Sequence, residues 1–232
     1  MSKNFSNQKA IIIIGQPGSG KGTQARLVAE KYNLYNVDTG NIIRNVIYDP
    51  SKQNDPEIRK ERKLNEAGFI NNSPFVLKLW RNKIKELARD NKGLVLSTSC
   101  ITYFEAFGDK KDIGLLKTLE NTYGWKNLKI FLLKISEKDS IKRNATRTIC
   151  SVCSTQILGV LKMKLSQCPF CGGKLVKRKD DKPELIKFRL DEFKKRAQPI
   201  INEMRKRGYK INFINGTLLP FKVFQLITRK IK

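Results

Sequence analysis

Two groups of residues in this chain of 232 have types and spacings suited to holding a reactive ligand. The first is Gly15-Gln16-Pro17-Gly18-Ser19-Gly20-Lys21-Gly22-Thr23-Gln24. Gly15, four intervening residues and Gly20-Lys21 follow the phosphate-loop pattern, with Gly22 where Ser or Thr is usual and Thr23 one place later. Glycines suit such a loop because successive backbone N–H groups must turn inward onto phosphate oxygens, where a Cβ would obstruct the backbone or the ligand. A helix starting at the loop adds about half a positive charge at the same point. Lys21 is expected along the β and γ phosphates of a nucleoside triphosphate and Thr23 near its magnesium ion. A tight turn alone would explain the glycines but not the lysine between an apolar strand and an amphipathic helix.

The second group is Cys150-x-x-Cys153 and Cys168-x-x-Cys171, with fourteen residues between the pairs. This is one short of the usual two-knuckle zinc spacing of ~15 to 20. Two thiolates three positions apart grip one ion from a tight turn, and four fill a tetrahedral zinc completely. A site with no open position for water is structural. Disulfides or a redox pair are the competing readings. A reducing compartment and the doubled motif disfavour both.

Several elements are needed to position these groups. Apolar runs at Ala10 to Ile14, Tyr35 to Val37, Leu94 to Leu96, Ile130 to Leu133 and Ile211 to Phe213 read as buried strands. Helical segments lie between them at Gly22 to Lys31, Gly40 to Tyr48, Pro56 to Ala67, Pro74 to Asp90, Glu137 to Thr146, Pro183 to Arg207 and Pro220 to Lys230. The alternation predicts an α/β fold with a five-stranded parallel sheet and helices on both faces. Asp49 to Ser73 and Thr148 to Lys179 do not fit that rhythm and read as inserts. No apolar run approaches the ~18 to 20 residues of a membrane span. The polar start MSKNFSNQK lacks a signal peptide, so a cytoplasmic protein is expected. Lys plus Arg exceed Asp plus Glu by 47 to 21, giving a formal charge of +26. Nucleic acid is one partner such a surplus attracts, although A/T-rich codons for Lys, Asn and Ile would inflate the same count.

In this form the phosphate loop resembles that of adenylate kinases, and the resemblance covers most of the chain. Asp38-Thr39-Gly40-Asn41-Ile42-Ile43-Arg44 is similar to the family's S-T-G-D-x-x-R segment, with Asn41 in place of Asp. This implies that Thr39 and Gly40 lie near an acceptor nucleotide and Arg44 on its phosphate. Ala67-Gly68-Phe69-Ile70 resembles the A-G-x-L turn, which implies Ile70 against the acceptor base. Arg143 and Arg147 match the hinge arginines before the first knuckle, beside the donor adenine and on phosphate respectively. Arg178, in Leu175-Val-Lys-Arg-Lys-Asp-Asp181, and Arg189 match the family's remaining phosphate-binding arginines, and Gly216 belongs to the late D-G-T turn bordering the adenine. The resemblance implies a P-loop core at residues 1–37, 74–147 and 180–232, a helical monophosphate-binding insert at 38–73 and a small zinc-ribbon lid at 148–179. It also implies a monomer that moves the γ-phosphoryl of Mg-ATP to a nucleoside monophosphate, AMP first. Lys21, Arg147, Arg178 and Arg189 are the expected catalytic charges, since phosphoryl transfer depends on alignment and charge neutralisation.

The pattern breaks after the third strand. Ser97-Thr98-Ser99-Cys100-Ile101-Thr102 stands where the family has D-G-x-P-R-T, so Ser97 replaces a carboxylate and Ile101 an arginine on the acceptor phosphate. Cys100 reads as a small buried apolar residue. Glu105 stands near a glutamine that reads adenine, and a carboxylate accepts hydrogen bonds but donates none. The alternative reading is therefore a catalytically weak or inactive ATP-binding protein of the same build, associated with RNA through its basic surface.

Overall fold

The computed structural model describes residues 8–98, 101–153, 155–157, 165–177 and 181–231. Cys100 and Arg178 lie outside them. Five parallel strands, β1 (Ala10–Gly15), β2 (Tyr35–Asp38), β3 (Leu94–Thr98), β4 (Leu128–Lys134) and β8 (Ile211–Asn215), form one sheet in the order β2-β3-β1-β4-β8. β1 is central because it is apolar on both faces. Ala10, Ile12 and Ile14 pack into one core and Ile11 and Ile13 into the other, all of them 0% exposed. A strand covered on both sides needs such an unbroken apolar run.

The first core is closed by α2 (Thr39–Ile47), α3 (Pro56–Glu66), α4 (Ser73–Arg89), α5 (Tyr103–Phe107), α6 (Leu115–Tyr123) and α9 (Gln198–Lys206). The second is closed by α1 (Lys21–Tyr32) and α10 (Pro220–Thr228). The strands and the long helices lie where the sequence predicts them. α5 and α6 were not anticipated. α6 carries buried Leu115, Leu116, Leu119 and Tyr123 at helical spacing, but it is short and bounded by Gly114 and Gly124.

The predicted unbroken helix from Pro183 to Arg207 is interrupted. α8 (Pro183–Glu192) passes into α9 through a π-helical turn at Phe193–Ala197. Pro199, in the first turn of α9, has no N–H for the preceding turn, and widening the helix there accommodates that loss. α3 is fixed to the start of α4 by the buried Glu61, whose carboxylate accepts from Asn71 Nδ2 at 2.8 Å and from the Asn72 N–H at 3.0 Å. The cysteine stretch follows α7 (Glu137–Thr146) as a small antiparallel sheet in the order β6-β5-β7, where β5 is Thr148–Cys150, β6 Gln156–Ile157 and β7 Leu175–Val176. No described helix is long and apolar enough to cross a membrane.

Candidate active site

Gly15 ends β1 and Lys21 opens α1, so the glycine loop lies at the C-terminal edge of the sheet between its central strand and a helix N-terminus. Gly18 and Gly20 have φ of 76° and 89°, a region that side chains rarely adopt. At Gly18 a Cβ would also stand 2.7 Å from Asn144 Nδ2, whereas Gly20 faces open space. Gly20 is the N-cap of α1 and supplies no side-chain cap, so backbone N–H groups of the first turn face the loop. Lys21 Nζ folds back to the Gln16 carbonyl at 3.5 Å.

The loop is braced from α7. Ser140 Oγ donates to the Pro17 carbonyl at 2.6 Å, and Asn144 Nδ2 donates to the Ser140 carbonyl at 2.8 Å. Arg143, on the same helix, donates to the carbonyls of Gly216 at 2.8 Å and Thr217 at 3.0 Å, and at 3.4 Å to that of Gly18. It thereby ties the phosphate loop to the turn after β8. Ser19 and Gln24 are turned inward, each 2% exposed, and Gln24 Nε2 donates to the Pro220 carbonyl at 2.9 Å. Ser140 and Asn144 escaped the sequence reading because only their complete burial, which the sequence does not display, sets them apart from the other polar residues of α7.

Arg147, the C-cap of α7, makes a two-pronged ion pair with Asp181, with side chains only 12% and 4% exposed. Arg189 lies half-buried on α8. The four cysteine sulfurs lie within 4.8 Å of one another, with Cys150 and Cys171 at 3.4 Å and Cys153 and Cys168 at 3.7 Å. Sulfurs around a tetrahedral zinc at ~2.3 Å would be about 3.8 Å apart, so the donor set fits that ion. The separations also exclude disulfides, whose S–S bond is about 2.05 Å. The backbone N–H groups of Cys153 and Val152 point at Cys150 Sγ, both at 3.4 Å, and hold its thiol below the ordinary range.

A sequence model of the adenylate kinase family matches residues 13–209. The chain belongs to the adenylate kinase family. It is 31% identical to the adenylate kinase of Chlamydia muridarum over 83% of this chain and 75% of that protein. It is 31% identical to that of Borrelia recurrentis over 83% and 82%, and 26% identical to that of Caldicellulosiruptor saccharolyticus over 88% and 90%.

Among the residues expected to meet an acceptor, Thr39 Oγ1 donates to the Ser97 carbonyl at 3.2 Å and accepts from Trp80 Nε1 at 3.2 Å. Asp38 and Ser97 are neighbours in register. Gly40 and Arg44 lie on α2, and a guanidinium nitrogen of Arg44 donates to Asn41 Oδ1. Ile70 is half-buried between α3 and α4. Ile101 and Glu105 do not face an open site. Ile101 is 0% exposed within the first core, and Glu105 is 2% exposed. Glu105 closes a capping box on α5, accepting from the Thr102 N–H at 2.8 Å while its own N–H donates to Thr102 Oγ1 at 3.1 Å. Burial pushes its carboxyl up to about 7.

Proposed function

We propose that this adenylate kinase family member transfers the γ-phosphoryl of Mg-ATP to a nucleoside monophosphate, AMP first, giving two nucleoside diphosphates. The observation that carries the reading is the glycine loop, with its uncapped helix N-terminus and Arg143 spanning its rim. Gly15, Pro17, Gly18, Ser19, Gly20, Gly22, Thr23 and Gln24 form the cradle and first turn, which meets donor phosphates with backbone N–H groups. Lys21 exchanges the Gln16 carbonyl for phosphate oxygens, and Arg143 and Gly216 border the adenine. Magnesium, when bound with ATP, neutralises phosphate charge, and Thr23 is the residue placed for it. Arg147, Arg178 and Arg189 spread positive charge over the transferring group, and excluding water while they do so prevents hydrolysis.

The acceptor site is taken as Thr39, Gly40, Arg44 and Ile70, with Arg178 and Arg189; Glu105, expected there from the sequence, is instead buried in the capping box of α5. Cys150, Cys153, Cys168 and Cys171 would hold one structural zinc that cross-links the lid. Residues 38–73 and 148–179 act as moving parts on a core made of the rest, in a cytoplasmic monomer. The decisive assay is ADP formation with ATP plus each monophosphate in turn, against ATP alone. Loss of any acceptor-dependent turnover at high enzyme concentration would overturn the reading. The buried Ile101 favours a second one, a catalytically weak enzyme with low acceptor affinity, for which saturation would require millimolar monophosphate.

A further inference from the structure

At the edge of the sheet opposite the glycine loop, a cavity of about 390 Å³ opens where three strands begin. Lys9 precedes β1, Tyr35 opens β2 and Gly93 precedes β3, while Tyr32 and Asn33 end α1, and Asn91 and Lys92 follow α4. Its walls hold lysines, tyrosines and amides and no carboxylate. The Tyr35 ring is 41% exposed, with Lys83 Nζ, which is ion-paired with Glu86, 4.4 Å from its centre. Lys9 Nζ and Lys31 Nζ stand 5.5 and 5.9 Å from the centre of the Tyr32 ring.

The two non-glycine residues of positive φ among the described residues, Asn33 and Asn91, both lie here. They close α1 and α4, where the Leu34 N–H meets the Ala29 carbonyl at 2.9 Å and the Lys92 N–H meets that of Leu87 at 2.8 Å. Gln8 donates through Nε2 to the Asn91 carbonyl and leaves Oε1 buried without a partner. Aromatic faces ringed by ammonium groups, with amides able to meet any base edge, are the chemistry of a single-stranded nucleic-acid platform. The formal charge of +26 favours the same polyanion.

We infer that this cavity binds single-stranded nucleic acid, taking a base against Tyr32 and Tyr35 and the flanking phosphates on Lys9 and Lys92. The surface is separate from the phosphotransfer site, so a strand and Mg-ATP bind together. The test is fluorescence anisotropy of a labelled twelve-residue oligouridylate across a salt series, with and without saturating Mg-ATP plus AMP. The expected result is binding unaffected by the nucleotides, weakened about tenfold or more by Tyr35→Ala. Lys92→Glu, at an exposed position, should lower the salt slope by about 0.7 or more, the value for one phosphate on a single strand. Both variants should keep wild-type phosphotransfer. Absence of binding, equal binding by both variants, or displacement of the strand by Mg-ATP plus AMP would overturn the inference. So would UMP alone binding as tightly as the oligomer, which would make this a mononucleotide site.

Discussion

Glu105 is an ionisable group whose folded surroundings favour the neutral form, raising its carboxyl from 4.5 to about 7 through burial. Between those values the folded chain keeps a proton that the unfolded chain has lost, so stability falls as pH rises through the window and levels off above it. Glu105→Gln keeps an acceptor for the Thr102 N–H without the titration. It should flatten thermal stability between about pH 5 and 7 and stabilise the protein at pH 8 by on the order of 3 kcal/mol. Parallel melting curves for the two proteins would sink this account. Ile101 carries a second prediction. Restoring an arginine there would bury a guanidinium in a 0% exposed position, so Ile101→Arg should lower the melting temperature by about 10 °C and leave acceptor affinity unimproved. A variant with unchanged melting and a lower KM for AMP would reverse the assignment. These two residues also mark where the sequence stops being readable. The glycine loop and Lys21 were legible because their order along the chain fixes their geometry. Whether residues 101 and 105 face a ligand or the core depends on how α5 packs, and no local pattern encodes that.

Arg147 and Asp181 bind α7 to the segment that leads into α8, with both charges largely out of water. Removing one partner from such a pair strands the other, at a cost of roughly 3 to 5 kcal/mol. Asp181→Asn should therefore lower stability by an amount of this order while releasing Arg147 for phosphate, so KM for ATP should fall as thermal unfolding moves down. A rise in both quantities would contradict the arrangement. In the cysteine element, Cys168→Ser should drop the metal content from about one zinc per chain to near zero and expose the segment to protease, with the sheet core intact. Retained zinc would refute the four-thiolate site. The cysteine cluster was readable because paired Cys-x-x-Cys spacings are local in sequence. α6 was passed over although Leu115, Leu116, Leu119 and Tyr123 carried the period, since two flanking glycines made the stretch resemble a loop. The π-helical turn before Pro199 was illegible for another reason: a widened turn changes hydrogen bonding and leaves the apolar spacing intact.

At the scale of the molecule, an excess of 26 positive charges means that the folded chain repels itself. Raising potassium chloride from about 10 to 300 mM shortens the Debye length from about 30 Å to under 10 Å. The melting temperature should rise by several degrees over that range, and one that stays flat or falls would show that the charge is already balanced locally. The contact between the turn after α3 and α8 has a consequence of another kind. A Cβ on Gly68 would stand 2.9 Å from Leu185 Cδ2, and the Phe69 ring meets that of Phe188 edge-on at 6.1 Å. Whatever displaces α2 and α3 must therefore drag α8 or peel away from it, and α8 is the helix that follows Asp181. A monophosphate that preferred one of those arrangements would alter the affinity for ATP, and ATP would alter the affinity for the monophosphate by the same factor. The two substrates would then communicate before any phosphoryl moved.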